Sequence, residues 1–212
     1  MEEKYLSIIT NFGCHFQCEY CIVKNNHIDV PVTTHRSLST LKEAIESEQA
    51  TIVSVSGGGD PLHDYPQHKK YYNRLFKICK EMKVPVEMHT SYFDSEFPYE
   101  KCCRVVYHCR NAGDLYDIRR RGNEKTRAVF VVTEKFTPEY IQNIVALKND
   151  LSDDIDELSF RQMIDKNYRV RNYCHDYLKE GHKKDWWYIE QGDYNPYYVN
   201  GTIYYQFSDI GT

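Results

Sequence analysis

Apolar runs of period two alternate with stretches of helical period along most of this chain, and that alternation limits the folds open to it. Residues 5–10 (YLSIIT), 50–56 (ATIVSVS), 84–90 (VPVEMHT), 103–109 (CRVVYHC), 127–133 (RAVFVVT) and 155–164 (IDELSFRQMI) read as strands, most of them rich in β-branched residues. Between them, 37–49 sets Leu38, Leu41 and Ile45 at helical spacing, with Ser37 or Ser39 available as a cap. Residues 71–83 align Leu75, Ile78, Cys79 and Met82 on one helix face, and 137–149 opens with Thr137 as cap and Pro138 at the first helical position. A short helical turn is expected over 97–101.

Strands alternating with helices predict a parallel sheet with right-handed crossovers. Six such units of about 30 residues occupy about 180 residues, which fits an α/β partial (β/α)6 barrel ending near Ile164. A full eight-unit barrel needs about 250 residues and does not fit. The expected organisation is a core over 1–164 and an extension over 165–212 packed on the same domain. In the extension, 168–181 reads as a helix, and Asn200-Gly201 suits the two-residue turn of a hairpin over 197–207.

Composition narrows the function classes. Hydrophobic residues make up 41% and charged residues 27% of the 212, with no apolar run approaching about 18 residues. The first ten residues, MEEKYLSIIT, lack the pattern of a signal peptide, so a cytoplasmic protein without membrane association is expected. The net charge of −4 argues against a dedicated nucleic-acid-coating role. The basic stretch 118–127 (IRRRGNEKTR) reads first as a solvated loop. Eight cysteines in such a chain imply reduced thiols, metal ligands or apolar packing.

Three of those cysteines fall in one short loop after the first strand: Cys14, Cys18 and Cys21, in GCHFQCEYC. Structural zinc takes four closed ligands and an iron–sulfur cubane usually takes four thiolates. Three thiolates in one loop therefore leave either a Cys3His zinc site, with His15 or His27, or a cluster with one open iron. At the end of the second strand stands SGGGDPL, a glycine run followed by an acid. Glycines there let backbone approach a ligand closely.

The Cys-x3-Cys-x2-Cys loop after a first strand, with Gly57, Gly58, Gly59, Asp60 and Pro61 after the second, resembles the radical S-adenosylmethionine (radical SAM) superfamily through about Ile164. The resemblance implies a 4Fe–4S cluster on Cys14, Cys18 and Cys21. It also implies S-adenosyl-L-methionine chelated to the open iron, an external one-electron reductant of the flavodoxin or ferredoxin type, and hydrogen abstraction by a 5′-deoxyadenosyl radical. Tyr20 corresponds to an aromatic residue near the adenine, and Gly57 to Pro61 to the motif that grips the SAM amino group; Asp60 replaces the commoner Glu. The remaining cysteines lack the close pairs of a second cluster.

In a partial barrel the chemistry lies at the C-terminal ends of the strands. The polar residues expected there include His89, Thr90 and Ser159 as cofactor-binding candidates and His108 and Arg161 as catalytic candidates, with Arg110, Thr133, Lys135 and Gln162 nearby. A buried arginine within a strand needs an anionic partner, and the SAM carboxylate or an anionic substrate would serve as one for Arg161.

Ile22-Val23 follows the last cysteine where 7-carboxy-7-deazaguanine synthases often carry Asp-Thr, which counts against that assignment. The tyrosine-rich tail is expected to cover the site, favouring a small metabolite or nucleotide substrate. An enzyme acting on a partner protein or peptide, as glycyl-radical activases do, and a non-catalytic zinc or iron–sulfur module are the alternatives.

Overall fold

The computed structural model describes residues 3–122, 124–192 and 195–211; Met1, Glu2, Asn123, Asp193, Tyr194 and Thr212 lie outside it. Six strands run parallel in chain order: β1 (Tyr5–Thr10), β2 (Ile52–Gly57), β3 (Val86–Thr90), β4 (Arg104–Cys109), β5 (Lys125–Val132) and β6 (Glu157–Ile164). Each lies within about three residues of its expected bounds. The fold is mixed α/β around a large, mostly parallel sheet.

The segment after Ile164 adds strands at both edges of this sheet. Beyond β6, β7 (Val170–Arg171) pairs with Met163 and Ile164 antiparallel, and β8 (Trp187–Ile189) pairs with Ser159–Arg161 parallel. Beyond β1, β9 (Tyr197–Val199) pairs parallel with Ser7 and Ile8, and β10 (Thr202–Tyr204) closes a hairpin on it. Ten strands form one sheet among the described residues. The hairpin turn is as expected: Asn200 and Gly201 both have positive φ, 47° and 97°, the conformation that an Asn-Gly pair tolerates.

Three helical expectations change. The stretch 37–49 splits into a 3-10 turn over His35–Leu38 and a short helix, α2 (Leu41–Ser47). The cap is Thr34, whose hydroxyl accepts from Arg36 N while Ser37 reciprocates on Thr34 N. The second helix, α3 (Tyr65–Met82), begins six residues before the expected start at 71, with Pro66 in its first turn. Most of 168–181 is not helical. Left-handed φ values at Tyr168 and Cys174 break it, and helix α5 keeps only His175–Glu180. Helix α4 (Pro138–Asp150) starts at Thr137 as expected, whose hydroxyl accepts from Tyr140 N. A one-turn helix, α1 (Ile22–Asn25), follows Cys21 directly.

Strand alternation sorts the sheet into two faces. Leu6, Ile8, Val53, Val55, Met88, Tyr107, Phe130 and Phe160 join the helices in the main core. The opposite face carries Ser7, Ser54, Glu87, His89, Arg104, His108, Arg127, Glu157, Ser159 and Arg161. Ile9, Ile52, Val106 and Val129 stand on that face too, so it is mixed, with a high share of charged and hydroxyl side chains for a buried strand face. No helix among the described residues is long and apolar enough to cross a membrane.

Candidate metal and cofactor site

The loop that carries the cysteines is fastened at its start. Asn11 donates from its backbone to Thr33 Oγ1 (2.8 Å) and from its side chain to the Val30 carbonyl (2.7 Å). Gly13 holds φ at +106°, a conformation that L side chains rarely adopt. Its carbonyl accepts from Asp60 N at 2.8 Å, and Gly58 N donates to the Thr10 carbonyl at 2.6 Å. The glycine–acid loop after β2 therefore docks on the first residues of the cysteine loop through main-chain bonds.

That contact explains the glycine run. A Cβ on Gly59 would stand 2.1 Å from the Gly13 carbonyl oxygen, and one on Gly58 would stand 2.6 Å from Val30. The close approach these glycines permit is to other parts of the chain itself, where the sequence reading had placed a ligand. Asp60 is likewise engaged. It is 4% exposed and accepts from Leu62 N (2.9 Å), Thr90 Oγ1 (2.7 Å) and Ser91 N (2.6 Å). Burial pushes its carboxyl above the usual range, with these three bonds and His15 opposing. Thr90 Oγ1 also accepts from Tyr92 N (2.9 Å), and the Pro61 carbonyl accepts from the Tyr72 hydroxyl. Asp60, Pro61 and Thr90 thus clamp the ends of β2 and β3 together.

Past Gly13 the loop reaches across the sheet. Phe16 lies under the Arg110 guanidinium at 4.2 Å, and Arg110 is locked to Asp114 by bonds of 3.1 and 3.0 Å after β4. Glu19 pairs with Lys135 after β5 at 2.7 Å. The His15 ring lies 4.3 Å from His63 and 4.7 Å from Tyr92. A loop that leaves β1 and touches residues beyond β4 and β5 sits over the C-terminal ends of the strands.

Cys14 is exposed and Cys18 and Cys21 are half-buried. Burial raises the Cys18 thiol pKa; the Tyr20 hydroxyl bond opposes this, and the charges of Cys14 and Cys21 raise it further. Tyr20 is itself pushed up by burial and by Cys18. Among the described residues, no three His, Cys, Asp or Glu side chains gather where they could hold a metal ion. Cys79, Cys102 and Cys109 are buried, Cys79 on the apolar face of α3 as expected.

Below the loop, on the polar face, lies a connected chain of side chains. Glu87 accepts from Arg104 at 2.6 Å and meets His89 Nε2 at 2.7 Å. His89 Nδ1 meets His108 Nε2 at 3.1 Å. Burial would raise the Glu87 carboxyl, but His89 and Arg104 more than offset it and hold it at about 2. Burial, then His89 and Arg161, push His108 well below the usual imidazole value, so it is neutral. Arg161 thus stands close enough to His108 for its charge to be felt. Ser159, between Glu157 and Arg161 on the same face, is fully buried, and its hydroxyl has no partner among the described residues.

The structure brings His89, His108 and Arg161 together, and separately joins Gly57–Asp60 to Gly13. Thr133, Lys135 and Arg110 stand at the rim, and Gln162 Nε2 turns to Asn172 at 2.7 Å. Glu87 and Arg104 were missed from sequence. The signal was present: a carboxylate at 87 and a base at 104, each at the alternate positions of an otherwise apolar strand. The surface clefts of about 510 and 280 Å³, on Phe76, Cys79 and Lys101 and on Lys148, Lys183 and Trp186, contain none of these residues.

No model of a known protein family matches the chain, and no curated protein matches it.

Proposed function

We propose that this chain is a radical SAM enzyme of partial (β/α)6 barrel architecture, acting on a small metabolite or nucleotide. The observation that carries the reading is the joint placement of its parts. The three-cysteine loop leaves β1, bonds through Gly13 to the glycine–acid loop after β2, and reaches Arg110 after β4 and Lys135 after β5, at the C-terminal ends of the strands that carry His89, His108 and Arg161.

The donor set is three thiols in one loop, one exposed and two half-buried, the residue type that iron–sulfur clusters take; their side chains do not converge on one point in this structure. Cys14, Cys18 and Cys21 would hold a 4Fe–4S cluster, with the remaining iron left for S-adenosyl-L-methionine. When bound, this pair supplies hydrogen-atom abstraction started by one-electron cleavage of the sulfonium. The chain's own residues orient and shelter. Gly13 and Asp60 fix where the loop begins, Arg110 and Lys135 hold Phe16 and Glu19 across the strand ends, and Tyr20 covers the Cys18 sulfur. Arg161 offers a positive charge beside neutral His108, which suits an anionic or oxygen-bearing substrate.

The test is anaerobic reconstitution followed by metal and product analysis. The expected result is about four irons per chain and slow formation of 5′-deoxyadenosine on reduction with S-adenosylmethionine. Cys14→Ala, Cys18→Ala and Cys21→Ala should each abolish both, while Cys79→Ala leaves both intact. One zinc and no iron, in protein made with ample iron, would falsify the reading.

A further inference from the structure

The Glu87–His89–His108 chain has a polarity that hydrogen-bond bookkeeping determines. Glu87 is ionised near neutral pH, with the Arg104 guanidinium 2.6 Å from its carboxylate. A carboxylate only accepts, so His89 Nε2 must carry a hydrogen and donate at 2.7 Å. The contact between His89 Nδ1 and His108 Nε2 at 3.1 Å then holds one hydrogen, because one nitrogen must donate and the other accept. When both rings are neutral, His89 Nδ1 is bare, so the hydrogen belongs to His108 Nε2. That leaves His108 Nδ1 with an open lone pair. It makes no hydrogen bond among the described residues, and the His108 ring is half-buried on the polar face.

We propose that His108 Nδ1 takes a proton from a hydroxyl of the substrate, and that Glu87, His89 and His108 form the relay that accommodates it. The substrate O–H bond breaks and leaves its electron pair on oxygen, while an Nδ1–H bond forms on His108. The Nε2–H bond of His108 breaks as its hydrogen passes to His89 Nδ1. The added positive charge ends on His89, beside the Glu87 carboxylate, and His108 is neutral before and after. Nothing is oxidised or reduced.

This arrangement resolves an apparent conflict. His108 resists carrying charge, because its surroundings desolvate it and because His89 and Arg161 are near, yet its Nδ1 is the one ring nitrogen of the pair left without a hydrogen-bond partner among the described residues. The relay lets His108 pass a proton without holding the charge. The charged and titratable groups facing the pair are Glu87 on β3, Arg104 on β4 and Arg161 on β6, with Tyr5 on β1 reaching Glu87 and Arg104. An imidazole lone pair takes a proton from an O–H donor, so the substrate class is a small molecule bearing a hydroxyl at or next to its reacting carbon. His108 touches substrate in this scheme; His89 and Glu87 are positioning residues. The inference rests on the proposed enzyme reading only for the presence of a substrate on this face.

Long-range ¹H–¹⁵N spectra of the full-length protein, labelled at histidine, test it without any cofactor. At pH 8 the expected signature is a bare Nδ1 and protonated Nε2 on both His89 and His108. As the pH falls, the added proton should appear on the His89 ring, with His108 keeping a single hydrogen that moves from Nε2 to Nδ1. In folded His89→Gln protein, His108 should keep a single ring hydrogen over the pH range in which the wild-type pair takes up its proton. A protonated Nδ1 on His108 at pH 8, or a doubly protonated His108 in the wild type while His89 stays neutral, overturns the relay. Since the wild-type spectra alone decide these points, a variant that fails to fold does not shield the proposal. The outcome is also separable from the enzyme reading, which fails on iron and 5′-deoxyadenosine analysis whatever the spectra show.

Discussion

Replacing Asp60 with Asn tests whether the acid of the glycine motif is a structural clamp. The substitution is nearly isosteric. The Asp60 Oδ1 atom accepts from Leu62 N and Thr90 Oγ1, and an amide oxygen can take over both bonds. The Oδ2 atom accepts from Ser91 N at 2.6 Å, and there an amide NH2 would face a backbone N–H, donor against donor. One buried bond to a charged group is lost and one buried backbone donor is left unpaired, which costs about 1–3 kcal/mol. For a chain of this size each kcal/mol lowers Tm by about 2–4 °C, so the expected drop is about 2–12 °C. Urea unfolding at pH 7 would measure the free energy directly.

The pH dependence sharpens the test. Burial raises the Asp60 pKa in the folded state. A carboxyl raised on folding contributes stability that is fully present below its unfolded value, about 3.9, and lost as pH rises through the folded value. The amide has no such dependence. The advantage of wild type over Asp60→Asn should therefore be largest below pH 4 and shrink as the pH climbs toward neutrality. An advantage that grows with pH, or a variant as stable as wild type at pH 4, would refute the clamp argument.

Three further outcomes are expected. Gly59→Ala would place a methyl 2.1 Å from the Gly13 carbonyl; overpacking of this kind costs about 1–3 kcal/mol, read as a fall in Tm together with reduced iron loading, since the cysteine loop must shift. Glu87→Gln removes a buried carboxylate held down at about 2, so its stability deficit, about 3 kcal/mol at neutral pH, should diminish as the pH falls from about 4.3 toward 2; a deficit equally large at pH 3 would contradict the ion-pair account. Deleting residues 195–212 uncovers the β1 edge and strips Val199 and Ile210 from Ile9 and Val30, and light scattering should report association through the bared edge.

The main strands were legible because each is a run of five to eight residues with a buried alternate face. Helix α4 was legible because Thr137 and Pro138 mark its start. The edge strands β7 and β8 were not, because two or three residues carry too little period and their pairing is decided by tertiary contact; β9 was, because Asn200-Gly201 marks its hairpin. The tail tyrosines misled for a related reason. They were expected to face the site, yet Tyr198 turns to the helical side and donates to the Ser37 carbonyl at 2.9 Å. Tyr205 is exposed and bonds Glu48. Only Tyr197, in register with Ser7, and its hairpin partner Tyr204 turn to the polar face, where they pack with Ile9, Val30 and Val199 near α1. Period-two alternation in a paired strand sends neighbouring aromatics to opposite faces, so a dense aromatic segment cannot cover one surface.

The candidate site divides by the kind of force that positions it. The cysteine and glycine loops meet through main-chain atoms: the Gly13 carbonyl, the Asp60 and Gly58 amides, and glycines that leave no room for a Cβ. Such contacts depend on backbone path, which a motif records as glycine at fixed positions, and so this half was visible in the sequence. The polar face depends instead on side chains from separate strands: Glu87 and His89 on β3, Arg104 and His108 on β4, Arg161 on β6. No short motif can encode that grouping, because the register of β3 against β4 pairs Glu87 with Arg104 and thereby brings the two histidines within reach. The sequence placed His89 and His108 at strand ends as separate candidates. Register turned them into one chain of hydrogen bonds, and the carboxylate at its foot gives that chain a direction.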